Sequence, residues 1–327
     1  MYAIRQHEFG PPETLIYEER SDPIAGEGQV RIGVRAAGVH LLDTKIRAGE
    51  SGGPFPLPDL PMTPGREVAG VIDQVGAGVD PSWLGKRAVA HLGQASGGYA
   101  ELAVREAGFV HAIPEVLPFE AAVAAIGTGR TAQGILDVAQ LQADDAVLVT
   151  AAAGGIGSLL VQASRTAGAF TIGLAGGDGK VARVRALGAD AGVDYTQDAW
   201  PNAVREALGD RKLTVVFDGV GGKVGPAAMR LLSPGGRILL FGWSAGEPTQ
   251  ITTADLYGGG LTASAAIGPR LLSHPGGLRV FEDAALAAAA DGSLVPLVDE
   301  PFALADAGAA HAALESRGTV GKVVLKP

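Results

Sequence analysis

The run Val147-Leu148-Val149-Thr150-Ala151-Ala152-Ala153-Gly154-Gly155-Ile156-Gly157 places a compact apolar strand, a glycine turn and the start of a helix in the order that a dinucleotide pyrophosphate requires. Gly154 lets the backbone come close to a phosphate, and Gly157 permits tight packing of helix on strand. The helix start adds free N–H groups and the positive end of its dipole. Ala152 stands where the first glycine of the usual pattern would be. The competing reading is an ordinary tight strand-to-helix connection. The surrounding β-α-β alternation favours a ligand on the backbone of Ala153, Gly154, Gly155 and Ile156.

The second strand of such a unit selects between the two nicotinamide dinucleotides, because an acid at its tip grips the ribose 2′-hydroxyl of NAD. Here the tip reads Leu174-Ala175-Gly176-Gly177, without an acid, and Lys180 follows a turn later. An ammonium there meets a 2′-phosphate as a point charge, against the competing reading of a solvated surface lysine, so Gly176 and Lys180 predict NADPH. Asp178 reads as the N-cap of the helix that begins near Lys180, and its competing role is that of the ribose-binding acid. Two later strands also end in glycines, at Asp218-Gly219-Val220-Gly221-Gly222 and at Phe241-Gly242-Trp243-Ser244-Ala245-Gly246. Each can be read as an ordinary loop, but ligands of open α/β sheets lie outside such carboxyl ends, and two such turns suit a cofactor lying across the sheet, which brings Val220 into the candidate cofactor set.

The elements that must hold these residues follow from periodicity. Strands at Phe170 to Ala175, Ala191 to Asp194, Thr214 to Asp218 and Arg237 to Phe241 alternate with helices at Gly157 to Ala167, Lys180 to Leu187, Trp200 to Leu208 and Val224 to Leu232. A parallel, doubly wound sheet is the architecture that alternation builds. A longer helical pattern covers Ala121 to Val138. The first hundred residues read instead as short strands, at Val30 to Ala36, Val68 to Val75, Arg87 to His91 and Tyr99 to Val104, with a Gly- and Pro-rich loop from Gly49 to Pro64. After Gly268 come helices at Leu278 to Ala290 and Ala305 to Ser316 and a last strand at Gly321 to Leu325. That ending is too short to stand alone, so residues 267–327 are expected to rejoin residues 1–120, with residues 121–266 inserted as the nucleotide domain.

Composition narrows the classes. A chain of 327 residues with 47% apolar and 19% charged residues has the material for two packed cores. Its formal charge of -9 disfavours nucleic acid or an anionic membrane as partner. There is no cysteine, which excludes disulfides and thiolate zinc sites. No apolar run approaches the roughly 20 residues of a membrane helix, and the first residues carry no apolar leader, so a cytoplasmic address is expected.

Further stretches carry a family resemblance over nearly the whole length. Ala36-Ala37-Gly38-Val39 with Asp43-Thr44, Pro64-Gly65-Arg66-Glu67-Val68-Ala69-Gly70 and Gly97-Gly98-Tyr99-Ala100-Glu101 resemble the GroES-like barrel of the medium-chain dehydrogenase/reductase superfamily. Ala151 to Gly157 and Gly318-Thr319-Val320-Gly321-Lys322-Val323-Val324 resemble its zinc-independent quinone oxidoreductase group. The resemblance implies an α/β fold in which a doubly wound Rossmann domain is inserted into a GroES-like β-barrel catalytic domain. It also implies that Thr128 lies beside the nicotinamide, that Phe241, Gly242 and Ser244 flank it, that the backbone of Gly321, Lys322 and Val323 closes over it, and that Tyr195 joins Lys180 at the 2′-phosphate. The segment Asp255 to Ala266 resembles the edge through which relatives form homodimers.

Zinc-dependent members hold their metal with a cysteine and a histidine at positions that look like His40 and Arg66 here, and an arginine cannot ligate zinc. His7, His40, His91, His111, His274 and His311 show no paired helical spacing, so no metal is expected. Without a Lewis acid the acceptor must already be electron-poor, as a quinone or an α,β-unsaturated carbonyl is. His40 stands where the group usually has asparagine, and Lys45 where it often has tyrosine. His40 is a candidate proton or hydrogen-bond donor to the reduced product, against a structural role; Lys45 and Thr128 complete the catalytic candidates. Asp43 reads as a buried turn acceptor, and Arg66 as an ion-pair partner of Glu67 or a backbone clamp. Two other functions remain open: reduction of an enoyl thioester, and NADPH binding without turnover.

Overall fold

The computed structural model describes residues 1–50, 56–93 and 97–327. In chain order it contains β1 (Tyr2–Gln6), β2 (Leu15–Glu19), β3 (Gln29–Val39), α1 (Leu41–Arg47), β4 (Glu67–Val75), β5 (Arg87–His91), β6 (Leu102–Glu106), β7 (Val110–Ala112) and α2 (Phe119–Ala124). A π-helical turn, Ala125–Gly129, leads into α3 (Arg130–Ala139), β8 (Ala146–Val149), α4 (Gly155–Thr166), β9 (Phe170–Ala175), α5 (Asp178–Ala186), β10 (Ala191–Asp194), α6 (Trp200–Leu208), β11 (Val215–Asp218), α7 (Val224–Met229), β12 (Arg237–Leu240), α8 (Thr253–Gly259) and β13 (Thr262–Ala265). The chain ends with α9 (Pro269–Leu272), α10 (Gly277–Asp291), β14 (Phe302–Ala303), α11 (Ala307–Glu315) and β15 (Val323–Lys326).

Two compact units result: Met1–Thr128 with Ala285–Ala290 and Pro296–Pro327, and Gly129–Ala284 with Asp291–Val295. These limits differ from the segments expected at 120/121 and 266/267, and packing explains the difference. The buried side of α2, Ala122 and Val123, shares a core with Ala36, Ala69 and Val89 of the strands. A Cβ on Gly134 of α3 would lie 2.2 Å from Leu271 of α9, so α9 packs within the second unit rather than the first.

The first unit is a barrel-like sheet in the order β14-β15-β3-β4-β5-β7, with β6 also paired to β3. β15 runs antiparallel to β3, with Val323 opposite Val39, so the last strand does close the first sheet. Alternate residues of β3, Val30, Ile32 and Val34, point into a core that includes Ile4, Val68, Tyr99 and Val323. The register brings Glu67 at the start of β4 opposite His91 at the end of β5. The sequence pattern missed the β1–β2 hairpin and the short helix α1.

The second unit is a six-stranded parallel sheet in the order β10-β9-β8-β11-β12-β13. The order reverses between β8 and β11, which is the switch point where open α/β sheets bind ligands. Both strands are buried at every residue, as interior strands covered on two faces must be. The single helix expected over Ala121 to Val138 is instead broken by the π-helical turn. Gly127 in that turn meets a buried carboxylate: a Cβ there would lie 1.4 Å from Glu67 Oε1. Among the described residues no helix is long and apolar enough to cross a membrane.

Candidate functional site

The glycine turn is built as a cradle. Thr150 N donates to Phe217 O at 2.9 Å and Ala152 N to Leu174 O at 2.8 Å, so the turn is tied to the strands on both sides of β8. Ala151 takes a left-handed backbone with φ 47°, a conformation costly for a residue with a Cβ. Gly154 is the N-cap of α4, and no side chain caps that helix. Its opening N–H groups are therefore left for an anion. A Cβ on Gly157 would sit 2.3 Å from Ala151 O, so only glycine lets α4 pack against the turn.

Across the switch point, buried Asp218 holds the loops together. Its Oδ1 accepts from Thr150 Oγ1 at 3.0 Å, Val220 N at 3.0 Å and Gly221 N at 3.3 Å, and Thr249 Oγ1 donates to Oδ2. Gly219 N donates back to Thr150 Oγ1 at 2.9 Å. The loops after β11 and β12 are also joined, through Ser244 N to Gly219 O at 3.1 Å and Ala245 N to Val220 O at 2.9 Å. Val220, Phe241, Gly242 and Ser244 thus lie together at the carboxyl ends of the strands. Sequence reasoning used Asp218 only as a strand end, although a lone acid closing the apolar run Val215-Val216-Phe217 was a signal of such a clamp.

At the end of β9, Gly177 with φ 82° is the N-cap of α5, and Asp178 is the first helical residue, with no side-chain cap. The capping role expected of Asp178 is not formed, because glycine's positive φ makes the turn and Asp178 only faces the helix dipole. The acid at this corner comes from β10 instead. Asp194 Oδ1 accepts from Gly177 N at 3.1 Å and from Thr196 N at 2.9 Å and Oγ1 at 2.7 Å. The Gly177 and Thr196 donors pull its carboxyl down to about 2. Lys180 lies in the first turn of α5, Gly176 just before it, and Tyr195 N bonds Ala175 O at 3.2 Å, so these three share one corner.

The first unit holds a different kind of site. His40 precedes α1, and its backbone N–H donates to Asp43 Oδ2 at 2.8 Å. Its Nε2 lies 2.9 Å from Lys322 Nζ and 2.7 Å from Glu67 Oε1, while Lys322 Nζ donates to Glu67 Oε2 at 2.8 Å. Burial opposes ionisation of Glu67, but the charges of His40 and Lys322 prevail and hold its carboxyl well below the usual range. Gly321, with φ 75°, and the bond from Lys322 N to Leu297 O at 2.7 Å turn the lysine inward; Val323 starts β15.

Beside it runs a second buried network. Arg66 lies 3.4 Å from Asp43 and does not pair with Glu67, so the expected partner of Arg66 is replaced by Asp43. Tyr99 Oη donates to Asp43 Oδ2 at 3.1 Å and lies 3.1 Å from His311 Nε2. The hydroxyl has one proton, given to the carboxylate, so His311 Nε2–H must donate to it. Burial pushes the His311 imidazole down to about 4, and its Nδ1 has no hydrogen-bond partner. Asp43, opposed by burial but favoured by the charges of His40 and Arg66, stays below the ordinary carboxylate range.

Thr128 is buried at the end of the π-helical turn. Lys45 is not brought to this cluster: it is half-exposed and pairs with Glu50 at 2.8 Å. The reason is helical geometry, since Lys45 lies five residues beyond the His40 cap and faces outward from α1. Part of the Gly49 to Pro64 loop, residues 51–55, lies outside the described residues. Among the described residues no group of three or more His, Cys, Asp or Glu is arranged to hold a metal ion.

The comparisons with known proteins agree with this architecture. The alcohol dehydrogenase GroES-like domain matches residues 26–115, and the zinc-binding dehydrogenase domain matches residues 155–276. A quinone oxidoreductase of Pseudomonas aeruginosa is 31% identical, covering 98% of this chain and 97% of its own. A 2-haloacrylate reductase of a Burkholderia species is 30% identical, covering 98% and 97%. The structure of Escherichia coli quinone oxidoreductase complexed with NADPH superposes with a TM-score of 0.89 at 29% identity over 100% of both chains. The fold is that of the medium-chain dehydrogenases/reductases, a Rossmann-type sheet with a GroES-like barrel. Within that superfamily the chain belongs to the quinone oxidoreductase group.

Proposed function

We propose that this protein is an NADPH-dependent reductase that delivers a hydride to a quinone or an α,β-unsaturated carbonyl without zinc. The observation that carries the reading is the uncapped start of α4 behind the Gly154 turn, with Lys180 and no acid at the tip of β9. The pyrophosphate would rest on the backbone of Ala153 to Ile156, and Lys180 with Gly176 and Tyr195 would take the 2′-phosphate. Thr128, Val220, Phe241, Gly242, Ser244 and the backbone of Gly321 to Val323 would contact the nicotinamide half. When bound, NADPH supplies the hydride.

The chain's own residues then handle charge. A hydride entering a quinone or enone leaves an oxyanion or enolate, and His40 is the donor we assign to it. Lys45, held by Glu50, has no part in this step. Names of relatives, quinone oxidoreductase and 2-haloacrylate reductase, support acceptors with an activated double bond. No observation favours a thioester acceptor. We also propose a cytosolic homodimer joined along β13, the last strand of the parallel sheet, which pairs on one side with β12.

Purified protein incubated with NADPH and a panel of quinones and alkenals tests the reading. Consumption of NADPH that depends on the acceptor supports it; consumption with none of them refutes it. Light scattering at the mass of one chain would reject the dimer.

A further inference from the structure

The trio of Lys322, Glu67 and His40 has a feature that a plain salt bridge lacks. Two groups compete for one ring nitrogen. His40 Nε2 is 2.9 Å from the Lys322 ammonium, in hydrogen-bond geometry, and 2.7 Å from Glu67 Oε1. Yet Glu67 Oε1 is buried and has no hydrogen-bond partner, so the carboxylate oxygen lies off the line of any ring N–H. An ammonium can only donate, which makes Nε2 an acceptor. The proton of the neutral ring therefore sits on Nδ1.

The three groups are also graded in depth. Glu67 is wholly buried and Lys322 nearly so, whereas the His40 side chain keeps 27% of its surface exposed. Space for the carboxylate is made by two glycines. A Cβ on Gly127 would lie 1.4 Å from Glu67 Oε1, and one on Gly38 would lie 2.4 Å from Oε2 and 3.2 Å from Lys322 Nζ. A π-helical turn such as Ala125–Gly129 is a costly local geometry that recurs at functional sites. The charged groups around the ring are Glu67 from β4, Lys322 ahead of β15 and Asp43 from α1; His91 of β5 acts on Glu67, and Arg66 on Asp43.

We propose that Lys322 and Glu67 form a buried proton relay behind His40, which presents its Nδ1–H to the reduced acceptor; the step rests on the reductase reading above. As the enolate or oxyanion takes the Nδ1 proton, the N–H bond at Nδ1 breaks and a proton from Lys322 Nζ forms a new N–H bond at Nε2. Lys322 becomes a neutral amine, the acceptor loses its negative charge, and the cluster gains one. Glu67, now without a cationic neighbour in a buried place, draws a proton back from water through His40 after product leaves. Glu67 Oε1 is the free acceptor to which the Nε2–H can turn in the interval. Lys322 and Glu67 are positioning residues, and His40 is the catalytic one.

Nitrogen NMR of histidine-labelled protein without cofactor tests the arrangement directly. At a pH where the ring is neutral, His40 is expected as the Nδ1–H tautomer, and Lys322→Met is expected to convert it to Nε2–H, donating to Glu67. A wild-type Nε2–H tautomer, or one indifferent to Lys322→Met, overturns the relay even if the protein reduces nothing. With an enone and NADPH, Lys322→Met should lower kcat about tenfold or more with KM for NADPH changed less than about twofold, and Lys322→Arg should restore part of it. The paired variant Glu67→Leu/Lys322→Met removes both charges and guards against misfolding of the single variant. If it folds, binds NADPH and turns over at the wild-type rate, the relay is wrong. Absence of NADPH turnover in the wild type would sink the reductase reading alone, because the tautomer measurement still decides the relay.

Discussion

The two units solve the problem of handling charge in opposite ways. The glycine turn of the second unit offers an anion nothing but backbone N–H groups and a helix dipole, fixed by a buried carboxylate, Asp218, that accepts from hydroxyls and backbone amides. The cluster of the first unit packs titratable side chains against one another, with Glu67, Lys322 and His40 within 2.9 Å of their neighbours. Fixed dipoles suit a ligand that arrives already charged and must not exchange protons. Coupled side chains suit a step in which a proton has to move.

The comparison breaks most readily at Asp218. Asp218→Leu strands the hydroxyls of Thr150 and Thr249 and the amides of Val220 and Gly221, and about 3–5 kcal/mol of stability should be lost in urea unfolding, with NADPH binding lost in parallel. A loss below about 1 kcal/mol would mean that the loops are held otherwise.

Next is the acid side of the first unit. The His311 pKa falls from 6.5 unfolded to about 4 folded, so the unfolded chain takes the proton first and stability drops as pH falls through that window. The drop should reach about 3 kcal/mol, and it is fully absent above pH 6.5. His311→Phe keeps the edge-on contact with Tyr99 and should flatten the upper part of the profile. Thermal melts of the two proteins between pH 7 and roughly pH 5 decide it. Below the ordinary carboxylate range Glu67 and Asp43, whose folded pKa values are depressed, add their own loss as pH falls.

Gly127→Ala sharpens the contrast from inside the cluster. Its methyl group meets Glu67 Oε1, and the variant should lose about 1–3 kcal/mol and much of its turnover while binding NADPH normally. The smallest effect is expected at Lys180. Lys180→Met should weaken NADPH about tenfold, about 1.4 kcal/mol, and leave NADH unchanged in calorimetric titrations.

The same contrast explains what the sequence made legible. The cradle is local: strand, turn and helix are contiguous from Val147 to Thr166, and their periodicities and glycines report on one another. The parallel sheet could be read for the same reason, whereas the return of the last strand to the first unit followed from an ending too short to stand alone. The proton cluster is assembled from residues 40, 67 and 322, brought together by the antiparallel pairing of β3 with β4 and β15. No spacing in the chain encodes that meeting. His40 was found by its place in a family pattern, but the one cation offered for Glu67 was Arg66, itself read alternatively as a backbone clamp, whereas Glu67 pairs with Lys322. Lys322 was read for its backbone alone, and Lys45 was one of three catalytic candidates although it lies half-exposed against Glu50. Asp194 was missed because the acid that bonds Gly177 comes from the neighbouring strand, whereas Asp178 was adjacent in sequence.

The division of labour itself is tested most directly by measuring, in one series, the NADPH dissociation constant and kcat of the Lys180→Met and Lys322→Met proteins. The account expects a double dissociation: Lys180→Met loses affinity about tenfold and keeps kcat at saturating NADPH, while Lys322→Met keeps affinity within about twofold and loses kcat about tenfold. Equal losses of affinity in both variants, with kcat untouched in Lys322→Met, would contradict it.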